Sequence, residues 1–191
     1  MGEPTFDENT GLLVVDVQND FCPGGALAIE NGDEIISVLN EWIEEAVKEN
    51  VNIYFSRDWH TKRHISFKSE GGQWPPHCVQ DTKGALYHPD LIVPDQALIV
   101  TKGVRLDHDQ NSVFDETGFA EQLKRDGVEK LIIGGLAQDV CVKATVLDAL
   151  DAGFKVTLLS SATKPVSEES GRQTMEEMRR AGAEIKEGDL A

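Results

Sequence analysis

The feature that most limits the folds open to this chain is an alternation of short apolar, β-branched runs with longer segments of helical period. Gly11 to Val17 reads as a buried strand, and from Asp33 the apolar positions Ile35, Ile36, Leu39, Trp42, Ile43 and Ala46 recur at helical spacing until Asn50. Val51 to Phe55 is a second strand and Ala97 to Thr101 a third, and a short helix from Phe119 to Arg125, ended by Gly127, precedes a fourth from Val128 to Ile133. A helix from Asp139 to Ala152 stops at Gly153, a fifth strand runs from Phe154 to Leu159, and a helix from Ser167 to Ala181 leads to a last strand near Ala183 to Lys186. Strands separated by helices pair in parallel through right-handed crossovers. The expected class is therefore α/β, a three-layer, doubly wound, Rossmann-like sandwich on a mainly parallel six-stranded sheet.

At 191 residues, without internal repeat or low-complexity linker, the chain reads as one domain over 1–191. The break in its rhythm is a region at about 56–96, from Ser56 to Gln96, that shows no convincing regular element. A loop of that length in a compact domain is usually functional.

Composition narrows the partners. The longest apolar runs are strand-sized, so no membrane span is expected, and a net charge of −16 opposes binding to nucleic acid or anionic lipid. The start, Met1-Gly2-Glu3-Pro4, carries no leader pattern, so a cytoplasmic location is expected. Cysteines at 22, 78 and 141 form no C-x-x-C pair and no even set, which predicts at least one free thiol and no four-thiolate zinc site.

In a doubly wound sheet, ligands bind beyond the carboxyl ends of the strands. The first strand delivers Asp16 there, the second Asp58 and His60, and the third Lys102; the fourth passes through Gly134-Gly135 into a helix whose first turn holds Cys141. With Asp139 as N-cap, that position favours thiolate, although a buried structural cysteine is the ordinary alternative. Asp16 can serve as proton acceptor or cap a loop, and Lys102 can tune the thiol or be a surface lysine. Asp58 and His60, two apart in an extended segment, point the same way, and His77 in Trp74-Pro75-Pro76-His77 returns from the long loop toward them. They make a two-histidine, one-carboxylate metal set or a group of solvated loop residues, with His64 and Glu70 in reserve as further ligands. Phe21, Trp59 and Trp74 are candidate apolar walls. Gly134-Gly135-Leu136-Ala137 lacks the G-x-G-x-x-G spacing, so no nucleotide cofactor is expected.

Asp16-Val-Gln-Asn-Asp-Phe-Cys-Pro-Gly-Gly-Ala-Leu27, Arg57-Asp-Trp-His60, His64-Ile-Ser-Phe67, Trp74-Pro-Pro-His-Cys-Val-Gln80, Lys102-Gly103 and Gly135-Leu-Ala-Gln-Asp-Val-Cys-Val142 occur in order from residue 11 to about 165. In these motifs the chain resembles the nicotinamidase/pyrazinamidase family of isochorismatase-like cysteine hydrolases. The resemblance implies the isochorismatase-like hydrolase fold and a catalytic triad of Asp16, Lys102 and Cys141. It implies a cis peptide at Leu136–Ala137 with the N–H groups of Ala137 and Cys141 as oxyanion hole, and substrate contacts at Phe21, Leu27 and Trp74. It also implies one divalent metal on Asp58, His60 and His77, zinc favoured over iron or manganese. The implied activity is hydrolysis of a small-molecule amide, nicotinamide and with it pyrazinamide, to acid and ammonia through a cysteine thioester in NAD salvage, by a monomer or homo-oligomer. Asp81, and Asn111 to Phe114, depart from the family pattern and place substrate preference in question. The competing readings are a metal-independent cysteine amidohydrolase acting on a carbamoyl or ureido compound, and a non-catalytic metal- or partner-binding flavodoxin-like module.

Overall fold

The computed structural model describes residues 5–190, so the Met1–Pro4 segment read above for leader signals lies outside the described residues. Strands β1 (Thr10–Val15), β2 (Asn52–Asp58), β3 (Leu98–Lys102), β4 (Lys130–Leu136), β5 (Lys155–Lys164) and β6 (Glu184–Lys186) form one sheet in the order β3-β2-β1-β4-β5-β6, every neighbouring pair parallel. Helices α1 (Ile35–Lys48), α2 (Phe119–Arg125), α3 (Lys143–Asp151) and α4 (Glu168–Ala181) complete the expected three-layer sandwich.

The two-residue period of the strands sorts their side chains into two cores. Leu12, Val14, Ile53, Phe55 and Ile132 pack with Ile35, Leu39, Trp42 and Ile43 of α1 on one face. Leu13, Val15, Tyr54, Leu131 and Ile133 pack on the other with Phe119 and Leu123 of α2, Val146 and Ala149 of α3 and Met178 of α4. The turn into α4 is capped by Ser167, whose side chain accepts the Ser170 N–H, and the helix ends at left-handed Gly182. Among the described residues no helix is long and apolar enough to cross a membrane.

Several boundaries differ from the sequence reading in a way that matters for the site. β2, β4 and β5 run on past their apolar stretches to Asp58, Leu136 and Lys164, because polar side chains such as Arg57 and Asp58 still give their backbone to the ladder, where they pair with Thr101 and Lys102 of β3. The helix expected from Asp139 begins instead as a π turn over Gln138–Val142, before α3, with Ala137 at the N-cap position. Asp139 is thus not the cap; its carboxylate accepts the Val166 N–H, tying this turn to the segment before α4. The region at 56–96 holds two short 3-10 turns, Lys68–Glu70 and Lys83–Ala85, and is stitched by the isolated bridges His60 to Val79 and Phe67 to Trp74.

Candidate active site

Strand order reverses between β1 and β4, and this switch point is where the carboxyl ends of a doubly wound sheet open a crevice. Asp16 follows β1, and Cys141 sits in the π turn after β4, so the two flank that crevice. Asp16 takes φ of +48°, a left-handed conformation that Asp adopts more readily than most residues. Ser56 Oγ donates to its Oδ1 at 2.7 Å, and Lys102 Nζ lies 2.7 Å from its Oδ2. The same ammonium is 2.7 Å from Asp58 Oδ1 and 3.5 Å from Cys141 Sγ. Cys141 Sγ and carboxylate oxygens of Asp16 and Asp58 all lie within 4.8 Å of one another, and the four residues are buried.

Burial sets the protonation of this group. It pushes the Asp16 carboxyl above its ordinary range, against the pull of Lys102. It works against charge on Lys102 too, yet the facing carboxylates of Asp16 and Asp58 outweigh it and hold the ammonium charged. For Asp58 burial is overcome by Lys102 and His60, which keep it ionised. The Cys141 thiol is driven well up by burial, helped by Asp16 and Asp58 and only partly opposed by Lys102. The thiolate expected from a helix-start position is therefore not the resting form: local backbone dipoles are outweighed by desolvation and two neighbouring carboxylates. Cys22 and Cys78 are also free and buried, with no activating contact; burial lifts the Cys22 thiol to about 11.

Asp58, His60 and His77 offer ligand atoms within 4.8 Å of one another. His60 Nδ1 is 2.8 Å from Gly103 O and His77 Nδ1 2.8 Å from Pro75 O, so both rings give their Nδ1 proton to backbone and present the Nε2 lone pair. Those Nε2 atoms lie 3.4 and 4.0 Å from Asp58 Oδ2. Two imidazole lone pairs facing a carboxylate oxygen, each ring fixed through its far nitrogen, form a donor set that fits a divalent cation with open positions. The Gln18 amide holds this strand end: it accepts the Asp58 N–H at 2.8 Å and donates to Asp58 O at 2.7 Å. Gly103 has φ of +71°, and a Cβ there would stand 2.5 Å from His60 Cε1, so only glycine lets the ring seat.

The reserve ligands separate. His64 stacks on His60 with ring centroids 4.1 Å apart, whereas Glu70 belongs to no cluster of metal-ligating groups among the described residues and is gripped by Arg63 at 3.0 and 3.2 Å. Proximity along the chain suggested Glu70; the 3-10 turn that carries it leaves Glu70 to pair with exposed Arg63. Phe21, Leu27 and Trp74 line one pocket together with Asp58, His60, His77, Ala137 and Cys141. Trp59 does not line it and instead stacks beneath the Arg57 guanidinium, 4.2 Å from the ring centroid. The Leu136–Ala137 peptide is cis.

Sequence reasoning missed Gln18, Ser56, Gln110 and Asp109, while Asn111, flagged there as a departure from the family pattern, does line the pocket. Gln18 and Ser56 each stand two residues from a flagged carboxylate, Asp16 and Asp58, a spacing that could have drawn attention to them. Asp109 and Asn111 line the pocket from the loop between β3 and α2, whose sequence has no periodicity to announce it.

Residues 10–188 match the Isochorismatase domain family. The chain is 37% identical to a nicotinamidase of Escherichia coli (strain K12) over 198 aligned residues, covering 91% of this chain and 92% of that protein. Among solved structures, the pyrazinamidase of Pyrococcus horikoshii in complex with zinc superposes with a TM-score of 0.91 at 42% identity, over 94% of this chain and 99% of that one. An L. infantum protein in complex with nicotinate superposes at 0.86 with 33% identity, over 94% and 92%. By domain match, sequence identity and shared fold, the chain belongs to the isochorismatase family.

Proposed function

We propose that this chain is a nicotinamidase: it hydrolyses nicotinamide, and pyrazinamide with it, to the ring carboxylate and ammonia in NAD salvage, the whole chain acting as one catalytic domain. The observation that carries this reading is the convergence of Cys141, Asp16 and Lys102 with the Asp58–His60–His77 cup on a single pocket walled by Phe21, Leu27 and Trp74. A buried thiol addresses a carbonyl carbon, and a cation site a short way off addresses a ring heteroatom. A pyridine or pyrazine carboxamide carries both groups, the carbonyl carbon and a ring nitrogen lone pair, on one rigid frame.

In the proposed reaction Asp16 takes the Sγ proton as sulfur attacks the carboxamide carbon, a transfer suited to a carboxyl whose basicity burial has raised. The backbone N–H groups of Ala137 and Cys141 receive the developing oxyanion. Asp16 then protonates the departing nitrogen, the C–N bond breaks, and ammonia leaves a thioester on Cys141. Water, deprotonated by Asp16, attacks that carbonyl; the C–S bond breaks, the sulfur regains a proton and the acid departs. Lys102 stays charged throughout, orienting Asp16 and stabilising the sulfur. Asp58, His60 and His77 would hold a divalent cation, zinc in this reading, which when bound would supply Lewis-acid character on the ring side of the pocket.

Ammonia release from nicotinamide by the zinc-loaded protein, against Cys141→Ala, tests the reading. Release that vanishes in the variant is expected. No release by the wild type, or equal release by both, overturns it.

A further inference from the structure

The cation cup does not end at its three ligands. His60 belongs to a second set, with His64 and Asp109, whose ligand atoms also lie within 4.8 Å of one another. The nitrogens of His64 are unequally engaged: Nδ1 meets Ser66 Oγ at 2.7 Å and the Ser66 N–H at 3.3 Å, while Nε2 is buried with no hydrogen-bond partner. His64 itself is 0% exposed, so that nitrogen has no solvent to satisfy it. A buried imidazole nitrogen without a partner is costly, and it marks a place where a further group completes the site.

Asp109 faces the same pocket as Asp58, His60 and His77. Its position is built rather than incidental. The adjoining Gln110 is 3% exposed; its Oε1 accepts the Gly103 N–H at 3.0 Å and its Nε2 donates to Asp115 O at 2.5 Å. Gln110 O in turn lies 3.4 Å from Lys102 Nζ. The loop carrying Asp109 is thus pinned at the residue beside it to the same lysine and glycine that frame the catalytic group. Asp109 Oδ1 accepts the Gln110 N–H at 2.9 Å, which leaves its other oxygen for the pocket.

We propose that Asp109 is a cation-retaining positioning residue beside the Asp58–His60–His77 cup. Asp58 shares its charge with Lys102, so the cup alone gives a dication less than one full negative charge. Asp109 would supply a second carboxylate beside a cation held in the cup. This inference rests on the metal reading of the site.

The test measures zinc affinity directly, by competition with a chromophoric chelator, in wild type, Asp109→Asn, Asp109→Glu and the loop control Asp115→Asn, each checked by thermal melting. Loss of an outer partner of a metal site lowers affinity about 10- to 100-fold. Asp109→Asn is expected to fall by about tenfold or more, Asp109→Glu to recover most of the loss and Asp115→Asn to match wild type. Cobalt-loaded Asp109→Asn is expected to show a shifted visible absorption band relative to cobalt-loaded wild type. An Asp109→Asn affinity within twofold of wild type, in a protein that melts normally, overturns the inference while leaving the cup intact. Absence of zinc binding by the wild type overturns both, which separates the two failures.

Discussion

Replacing Lys102 with methionine keeps the stem and removes the cation that the buried carboxylates of Asp16 and Asp58 share. Lys102 and Asp16 are 0% exposed and Asp58 4%, and Nζ stands 2.7 Å from each of them. Breaking a buried ion group from one side costs about 3–5 kcal/mol, because the remaining charges stay desolvated. The chain can escape by protonating one carboxyl. From an ordinary value near 3.9, neutralising a carboxyl at pH 7 takes about three pKa units at about 1.36 kcal/mol each, close to 4 kcal/mol, so both routes predict the same loss. Lowering the pH to 5 cheapens the second route by about 2.7 kcal/mol. Urea unfolding of wild type and Lys102→Met with excess chelator, at pH 7 and pH 5, is therefore expected to show a deficit of about 3–5 kcal/mol that shrinks markedly at the lower pH. For a domain of this size the pH 7 deficit corresponds to a melting point lowered by roughly 6–20 °C. A deficit below about 1 kcal/mol, or one of equal size at both pH values, would refute the claim that Lys102 is the counter-charge of a buried carboxylate pair.

Two further outcomes follow from the same geometry. Because burial and the neighbouring carboxylates hold the Cys141 thiol above its ordinary range, the neutral form prevails at pH 7, and alkylation by iodoacetamide in the substrate-free protein should still be accelerating at about pH 9; a plateau below pH 7 would contradict this. In Gly103→Ala the new Cβ meets His60 Cε1 at 2.5 Å in a left-handed backbone, so the ring leaves Gly103 O and zinc affinity should drop at least about tenfold by chelator competition, an expectation defeated by unchanged binding.

The layers of the fold were legible because parallel strands covered on both faces must be apolar throughout, and runs such as Leu12 to Val15 and Leu131 to Ile133 say so directly. Strand ends were not, since Arg57 and Asp58 hold the ladder through backbone atoms while their side chains carry polar signals. The residues Asp16, Lys102, Cys141, Asp58 and His60 were nameable from where strands stop and His77 from its motif in the long loop, and the structure brings them to one crevice. Their protonation was not nameable: the helix-start argument for Cys141 weighed its own turn and could not weigh Asp16 and Asp58 across the sheet. Asp109 and Gln110 escaped for a different reason. A loop held by one buried glutamine has no pattern until its partners, Gly103 and Asp115, are seen in space.

Adjacent pairing of Asp58 with Lys102 across β2 and β3 leaves the cation cup and the nucleophile without a boundary between them. A designer wishing to strip the metal function and retain the thiol chemistry cannot delete the cup residue by residue, for Asp58→Ala hands Lys102 wholly to Asp16 and resets the base as well. The two functions are coupled because they share an ammonium, so variants at Asp58 are expected to lose cation binding and, with one anion fewer beside the sulfur, to titrate the Cys141 thiol lower than the wild type does.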